Sequence, residues 1–444
     1  MAEALFSGVP EHWEWTTLGD VCARGGGDIQ TGPFGSQLHA ADYVPVGVPS
    51  IMPQNIGDNR IIVEGIARIT RDDAVRLSRY LVRAGDIVYS RRGDVERRAL
   101  IREAEDGWLC GTGCLRVRLG QGVADPLFAS YYLGHPEARE WIVRHAIGAT
   151  MPNLNTSILS ALPFLLPPLS EQRAIGQILG ALDDKIELNR RVNETLEAMA
   201  RAIFKSWFVD FDPVYAKAEG RQPAGMDVET AELFPQSFAK ASGGEVPEGW
   251  QIASLADVVE IVGGGTPRTS VAEYWDGDVP WFSVVDAPGA SDVYVIDTQR
   301  TISSLGLENS ATRVLPVNTT IISARGTVGK LALVGSPMAM NQSCYALRGK
   351  EGIGPYFVYF AAKHLVTALQ QNTHGTVFDT ITRDTFAAID LVIPSQSALS
   401  SFERQVEPLL RRILSNLHES RTLAAIRDAL LPKLLSGEVR IGVA

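Results

Sequence analysis

The sequence is poor in the residues that most often carry chemistry. Of 444 residues, seven are histidine and four are cysteine (Cys22, Cys110, Cys114, Cys344). The histidines are scattered with no pair at metal-ligand spacing, and the cysteines show neither CxxC spacing nor accompanying histidines. This excludes a zinc ribbon or a disulfide scaffold and predicts reduced, partly buried thiols in a cytosolic protein. Long apolar runs are missing as well. None reaches membrane-spanning length, and the first residues, with Glu3 and no basic lead, do not resemble a signal peptide. Positive charge is not in excess: 41 Lys and Arg face 51 Asp and Glu, a net charge of −10. This argues against a simple basic DNA-coating protein but does not exclude DNA binding, because local clusters matter more than the sum. Lysine is first met at Lys185, whereas the stretch from Arg60 to Arg102 is dense in arginine. Arginine suits bidentate contacts to guanine or phosphate. The plainer reading pairs these arginines with Asp72, Asp73, Asp94 and Glu96 on a solvated face.

What the chain does have is a duplication. Val9-Pro10-Glu11-x-Trp13, followed by Leu18 and Asp20, returns as Val246-Pro247-Glu248-x-Trp250, followed by Leu255 and Asp257, at a constant offset of 237. Ile87-Val88-Tyr89-Ser90-x-Arg92-Gly93 reappears as Thr320-Ile321-Ile322-Ser323-x-Arg325-Gly326 at an offset near 233. The stretch around Gly148, Leu162 and Pro167 maps onto Gly375, Ile389 and Pro394 at 227. A drifting offset means small insertions and deletions between two copies of one unit. Function is to be sought in what needs two similar surfaces.

Each copy opens on a Pro-Glu-x-Trp turn and runs through short β-like segments punctuated by Gly, Pro, Asn and Asp, as a mixed, irregular sheet requires. Examples are 86–89 and 114–119 in the first copy and 320–323 and 330–334 in the second. Aromatic helical patterns follow at 126–133, 136–145 and 355–370. A long helix then follows each copy. In the first, Ile175, Leu179, Leu182, Ile186, Leu196, Ile203 and Trp207 alternate by three and four, with Asn189, Asn193 and Ala200 filling the seam. The second repeats this at 227 with Phe402, Val406, Leu409, Ile413, Leu423, Leu430 and Leu434, and Asn416 stands where Asn189 stood. Ser170, Ser397, Ser400 and Ser401 are N-cap candidates and Gly437 a stop. At about 1.5 Å per residue, each helix of roughly 38 residues spans about 57 Å, too long for one small domain to bury. The two helices are expected to pair, and antiparallel, because parallel helices would crowd both globular units at one end. Asn189 and Asn416 would then lie near a pseudo-dyad and set the register, or else be solvated on a helix flank.

In this order and twofold repetition the pattern resembles the specificity subunit of type I restriction-modification systems. The residues that carry the resemblance are Thr31-Gly32-Pro33-Phe34-Gly35-Ser36-Gln37-Leu38 in the first copy. In the second they are Gly264-Gly265-Thr266-Pro267, Tyr274-Trp275, Pro280-Trp281 and Asn341-Gln342. Leu166-Pro167-Pro168-Leu169-Ser170-Glu171-Gln172 and Lys205-Ser206-Trp207-Phe208-Val209-Asp210-Phe211-Asp212-Pro213 complete them. The resemblance implies an α/β (α+β) fold: two duplicated globular target recognition domains separated by two long antiparallel coiled-coil helices, pseudo-twofold symmetric. The expected boundaries are 1–168 and 245–395 for the recognition domains and 169–208 and 396–437 for the helices. A linker at 209–244 and a tail at 438–444 complete the chain. It also implies that each domain reads one half of a split site on double-stranded DNA while the helices act as a ruler. Two modification subunits would carry methyl transfer with S-adenosylmethionine, and restriction subunits would join for cleavage. No cofactor, metal or catalytic residue is expected in this chain.

Other chemistry is weakly signalled. Asp212-Pro213-Val214-Tyr215 is one residue from the DPPY motif of amino-methyltransferases, but it lacks the second proline and sits in a linker. Gly25-Gly26-Gly27 and Gly263-Gly264-Gly265 are not followed by GK[ST], and Gly326-Thr327-Val328-Gly329-Lys330 has the wrong spacing for a P-loop. Asp183-Asp184 and Asp72-Asp73 lack a nuclease-like lysine partner. DNA contact is the remaining demand, and polar loops are its natural suppliers. The candidates are Gln30, Thr31, Ser36, Gln37, Arg91 and Arg92 in the first copy. In the second they are Thr266, Arg268, Thr269, Ser323, Arg325, Lys330 and Asn341. Phe204, Trp207, Phe208 and Phe211 exceed what a two-helix seam buries. They either dock the linker or form an apolar patch for a modification subunit. The rival class is a repeat-built protein adaptor without DNA contact.

Overall fold

The computed structural model describes residues 9–148, 151–241, 244–289, 292–372, 380–388 and 390–441. Gly375 and Ile389 of the repeat lie outside the described residues. The chain forms two compact units. One comprises Met1–Asp184 with Leu423–Ala444, the other Lys185–Thr422.

The strands of the first unit are β1 (Glu14–Thr17), β2 (Asp28–Thr31), β3 (Tyr43–Ile51), β4 (Ala67–Ile69), β5 (Ile87–Ser90), β6 (Arg98–Leu100), β7 (Leu109–Cys110), β8 (Cys114–Arg118) and β9 (Pro163–Leu166). Its helices are α1 (Leu18–Gly25), α2 (Arg71–Arg76), α3 (Pro126–Tyr132), α4 (Pro136–His145) and α5 (Thr156–Ala161), and the long α6 (Leu169–Phe208) starts here. Helix ends follow local chemistry. Thr17 caps α1 through its hydroxyl, Gly26 ends it at φ 73°, and Asn155 caps α5. The sheet order β2-β8-β5-β6 is antiparallel throughout and puts fully buried Ile87-Val88-Tyr89-Ser90 inside the sheet. In a second sheet, β4-β3-β7, β3 pairs antiparallel with β4 and parallel with β7. β1 pairs with β9.

The second unit adds α7 (Asp212–Ala218), α8 (Val228–Glu232), β10 (Phe238–Ala241), β11 (Gly244–Pro247), β12 (Gln251–Ser254), α9 (Leu255–Val258), β13 (Val259–Gly263), β14 (Trp275–Phe282), β15 (Tyr294–Val295) and β16 (Thr301–Ile302). Then come α10 (Ser304–Glu308), β17 (Thr320–Ser323), β18 (Leu331–Val334), β19 (Ala339–Met340), β20 (Cys344–Gly349), α11 (Pro355–Asn372), α12 (Arg383–Ala387), β21 (Asp390–Ile393) and the long α13 (Gln396–Leu435). The pairing is that of the first unit: β13-β20-β17-β18 antiparallel, β16-β14-β19 with β14 parallel to β19, and β12 with β21. The second unit extends its main sheet by β15, parallel to β18. The duplication is thus one of topology as well as of sequence, in a mixed α/β fold.

Within each unit the long helices run antiparallel. In the second, the ring of Phe204 packs 5.9 Å from that of Phe402, while Asn189 reaches Glu419 and Ser420 (2.9 and 3.3 Å). In the first, Ile175 and Leu179 share a core with Leu434 and Leu435, and Asp183 pairs with Arg427 at 2.7 Å. Asn189 and Asn416 are buried, not solvated. Their side chains do not bond each other; Asn416 Nδ2 donates to Asn193 Oδ1 (2.8 Å) as Asn189 Nδ2 donates to Ser420 Oγ. These two bonds are related by the repeat offset, so the polar layer itself is duplicated. The cap at the start of α13 differs from expectation. The Ser395 hydroxyl accepts from Ala398 N (3.3 Å), whereas Ser397, Ser400 and Ser401 lie inside the helix.

Candidate nucleic-acid interface

The clearest shared surface is the turn that leaves the buried strand of each main sheet. After β5, Arg91 is fixed by its backbone, its N–H donating to Gly113 O (2.8 Å) and its carbonyl accepting from Leu154 N (2.8 Å). Gly93, at φ 76°, reverses the chain and donates to Pro152 O. After β17 the same construction recurs. Ala324 N donates to Ser343 O, Ile381 N donates to Ala324 O, and Gly326 takes φ 77°. Arg92 bridges Asn153 and Arg325 bridges Thr380 in matching isolated β-bridges. Each turn is therefore held by two other segments before any ligand arrives. That residues 152–154 and 380–381 return to these strands is not legible in the sequence, because nothing local to them shows it.

The turns are cationic. Arg92, Arg325 and Lys330 are exposed, and none of them has a carboxylate partner among the described residues. Arg97, beside them in the first unit, is held by Asp94 at 2.5 Å. The plainer reading of the arginine-rich stretch holds for Arg76 with Asp73 and Arg97 with Asp94, whereas Arg98 is buried against Asp58 and Arg102 pairs with Asp184, acids the sequence did not suggest. Arg91, half-buried, lies 5.7 Å from the centre of the Phe34 ring, and its buried Nε has no hydrogen-bond partner.

The other candidates divide. Gln30 and Thr31 are half-buried on β2, in register with Arg116 and Leu115. Ser36 is exposed, but the Gln37 side chain is used internally, its Oε1 accepting from Phe34 N (3.2 Å) and from the Tyr80 hydroxyl (2.8 Å). In the second unit Arg268 and Thr269 are exposed, and the Thr266 hydroxyl bonds to Gln342 Oε1. Asn341 is half-buried, its Oδ1 accepting from Ser343 N at 3.0 Å. Ser323 is a correction. It is buried, donates to Thr327 O (2.6 Å) and accepts from Lys330 N (2.8 Å), so its hydroxyl is consumed in shaping the turn. Arg313, not singled out in the sequence, is exposed next to Thr312, whose hydroxyl is bonded to Met340 O, one residue before Asn341.

The aromatic end of α6 is the second correction. Phe204, Trp207 and Phe208 are buried in the second unit's core with Phe234, Trp250, Phe357 and Phe402, and Phe211 packs 6.0 Å from Trp250. The chain after α6 folds back over these rings through Val214, Phe234 and Val246, so Phe204, Trp207 and Phe208 dock the linker and form no exposed patch, while Phe211 is half-buried beside them. Asp212-Pro213-Val214-Tyr215 belongs to the same packing, with Val214 buried and Tyr215 4.5 Å from Phe238. The four cysteines are free and buried, and burial pushes the thiols of Cys22, Cys110 and Cys344 up to about 12, so they stay protonated and unreactive. Asp183 serves structure, accepting from the Tyr131 hydroxyl at 2.6 Å and pairing with Arg427. Among the described residues no cluster of His, Cys, Asp and Glu is suited to a metal, and no helix is long and apolar enough to cross a membrane.

Known proteins are similar to this chain. The family described as "Type I restriction modification DNA specificity domain" matches residues 10–198 and 247–409, one stretch in each copy of the repeat. The type I restriction enzyme HindI specificity subunit of Haemophilus influenzae is 28% identical, covering 88% of this chain and 95% of its own length. The MjaIX specificity subunit of Methanocaldococcus jannaschii is 24% identical over 98% of this chain and 95% of its own. The crystal structure of the S subunit of the M. genitalium type I restriction-modification system superposes with a TM-score of 0.57. It does so at 17% identity, covering 98% and 99% of the two chains, and so shares the fold. The reading as a DNA-free adaptor finds no support among these relatives. The chain belongs to the specificity subunits of type I restriction-modification systems, the subunits responsible for DNA recognition.

Proposed function

We propose that each unit reads one half of a bipartite DNA site, with the β5–β6 turn serving the first unit and the β17–β18 turn the second. The observation that carries this reading is the recurrence of one cationic turn, tied down by the same two segments, on the same strand of a duplicated sheet. Arg92 and Arg325 are the equivalent cations. Exposed and unneutralised, they suit guanine edges or phosphates, each good bidentate base contact being worth roughly 1–3 kcal/mol of discrimination. Gln30, Thr31 and Ser36 in the first unit, and Arg268, Thr269, Lys330, Asn341 and Arg313 in the second, would supply further polar contacts.

Catalysis would belong to modification subunits that bind S-adenosylmethionine, two per specificity subunit, with restriction subunits joining for cleavage. In this reading the long helices set the spacing of the half-sites and dock the modification subunits. With the Phe204 cluster buried, the docking surface falls elsewhere. On the α6 segment of the second unit, Leu188 (53% exposed) and Met199 (49%) share a face with exposed Arg191, Thr195 and Ala202, a largely apolar stripe carrying one cation.

The test is single-molecule sequencing of methylated bases in cells expressing the chain with its modification subunits. Arg92→Ala and Arg325→Ala are expected to relax or weaken different halves of the methylated motif, by roughly tenfold or more at the affected position. Changes confined to the same half would overturn the assignment of one unit per half.

A further inference from the structure

Within the reading that the first unit recognises a half-site, we infer that Phe34 and Arg91 form one reading element for two neighbouring bases, Arg91 taking a guanine and the Phe34 ring packing on the methyl of an adjacent thymine. The pair is assembled from three separate segments. The turn that carries Phe34 is closed by Gln37, whose N–H donates to Phe34 O (2.8 Å) while its Oε1 accepts from Phe34 N. Pro33, immediately before it, is held by the Thr112 hydroxyl at 3.1 Å. Gly32 passes so close to the 111–113 turn that a Cβ there would lie 2.1 Å from Gly111 O. Gly113 in turn receives the Arg91 N–H. The chain that carries the ring and the chain that carries the guanidinium are thus fixed by backbone bonds, which limits the backbone ordering still required on binding.

Both groups are unused by the fold. Phe34 is 53% exposed, outside every core cluster of the unit, so its ring contributes little to packing. The Arg91 guanidinium has no acid partner among the described residues, its Nε is buried without a hydrogen bond, and its closest aromatic neighbour is Phe34 at 5.7 Å. An arginine over an aromatic face gains from the ring quadrupole while leaving the donors of its outer edge free. Those donors match guanine O6 and N7, and a ring beside them matches the apolar C5-methyl that only thymine presents in the major groove. The second unit lacks the element: Ala324 occupies the place of Arg91, and Pro267-Arg268 follow its glycine turn without an aromatic. The two halves of the site are therefore read with different chemistry.

The experiment uses the full chain assembled with its modification subunits and duplexes carrying the methylated motif. The half belonging to the first unit is identified by Arg92→Ala. Its thymines are replaced one at a time by deoxyuridine and its guanines by 7-deazaguanine. One deoxyuridine is expected to weaken binding of the unaltered protein about fourfold, the worth of one buried methyl group, and to leave Phe34→Ala unaffected. The adjacent 7-deazaguanine is expected to cost about tenfold in the unaltered protein and nothing in Arg91→Ala, with Arg91→Lys failing to restore the difference. The inference is overturned if that half contains no adjacent guanine and thymine. It is equally overturned if Phe34→Ala weakens thymine and deoxyuridine duplexes alike, as a wedge between base steps would. An unaltered complex that leaves no footprint on the motif would sink the half-site reading itself; a normal footprint without coupling sinks only the Phe34–Arg91 element.

Discussion

The two units solve one problem with their parts exchanged. Each has a helix, α3 or α11, whose N-terminal N–H groups need an acceptor and whose start lies against a long helix. In the first unit the carboxylate is on the short helix: Asp125 accepts from Leu127 N and Phe128 N at 3.0 Å, and the long helix makes room with Gly176. In the second unit the carboxylate is on the long helix: Glu403 accepts from Phe357 N (2.7 Å) and Tyr356 N (3.3 Å), and the short helix makes room with Gly354. A Cβ on Gly354 would lie 2.1 Å from Glu403 Cδ, so the contact holds one acidic side chain, from one side or the other. Duplication preserved the orphan donors of the helix end, not the residue that satisfies them.

The largest difference to test is what seals each unit. Position 175 of the first copy corresponds to 402 of the second. Ile175 packs among Leu179, Leu434 and Leu435, whereas Phe402 is surrounded by the rings of Phe204, Trp207, Phe208 and Phe360 within 6.3 Å. Phe402→Ala is expected to destabilise by about 4 kcal/mol and Ile175→Ala by about 3 kcal/mol, measured by denaturant unfolding. A Phe402→Ala effect below that of Ile175→Ala would mean that the aromatic cluster is loosely packed.

Next in size is a pH effect confined to the second unit. Burial outweighs the two N–H donors and pushes Glu403 up to about 7 from an ordinary 4.5. The folded state then holds a proton that the unfolded chain has released, so stability is full below pH 4.5 and falls as the pH rises through 7, by on the order of 3 kcal/mol. Glu403→Gln should flatten that decline, read as the difference between variant and parent in hydrogen exchange of α11. His135 in the first unit works with the opposite sign. Burial lowers it to about 4, so its contribution is present above pH 6.5 and is lost as the pH falls toward 4. His135 caps α4, its side chain accepting from Glu137 N, so parallel pH profiles for α4 and α11 would show that neither group governs its unit.

These contrasts also mark how far the sequence could be read. The strand before each cationic turn was legible because Ile87-Val88-Tyr89-Ser90 and Thr320-Ile321-Ile322-Ser323 are apolar runs ending at the same Arg-Gly pair. The seam of the long helices, with Asn189 and Asn416 at equivalent points, was legible from its three-and-four spacing. What stayed hidden depends on distant chain returning. Phe204, Trp207 and Phe208 read as surplus until the segment through Phe234 and Val246 covers them. Ser323 reads as a polar loop residue until its hydroxyl is consumed by Thr327 and Lys330. Gly176 against Glu403, and Asp125 against Gly354, read as unrelated differences, because a compensating exchange across a contact leaves no trace in either aligned position alone.

The smallest effect sharpens the comparison most. Asp125→Ala removes a local cap and should cost about 1 kcal/mol, seen as faster hydrogen exchange through α3. Gly176→Glu alone places a second carboxylate at a site that holds one: a Cβ on Gly176 would lie 3.3 Å from Asp125 Oδ1. Like charges should then offset the gain of about 1 kcal/mol that a helical glycine normally yields when replaced. Combining Asp125→Gly with Gly176→Glu builds in the first unit the arrangement native to the second, with the acid reaching Phe128 N from the long helix. If the helix end asks only for one acceptor, the double variant should be more stable than the sum of the single changes by roughly 1 kcal/mol or more in a double-mutant cycle. Strict additivity would instead mean that Asp125 and Glu403 do not play equivalent parts, and that their shared position against α3 and α11 is coincidental.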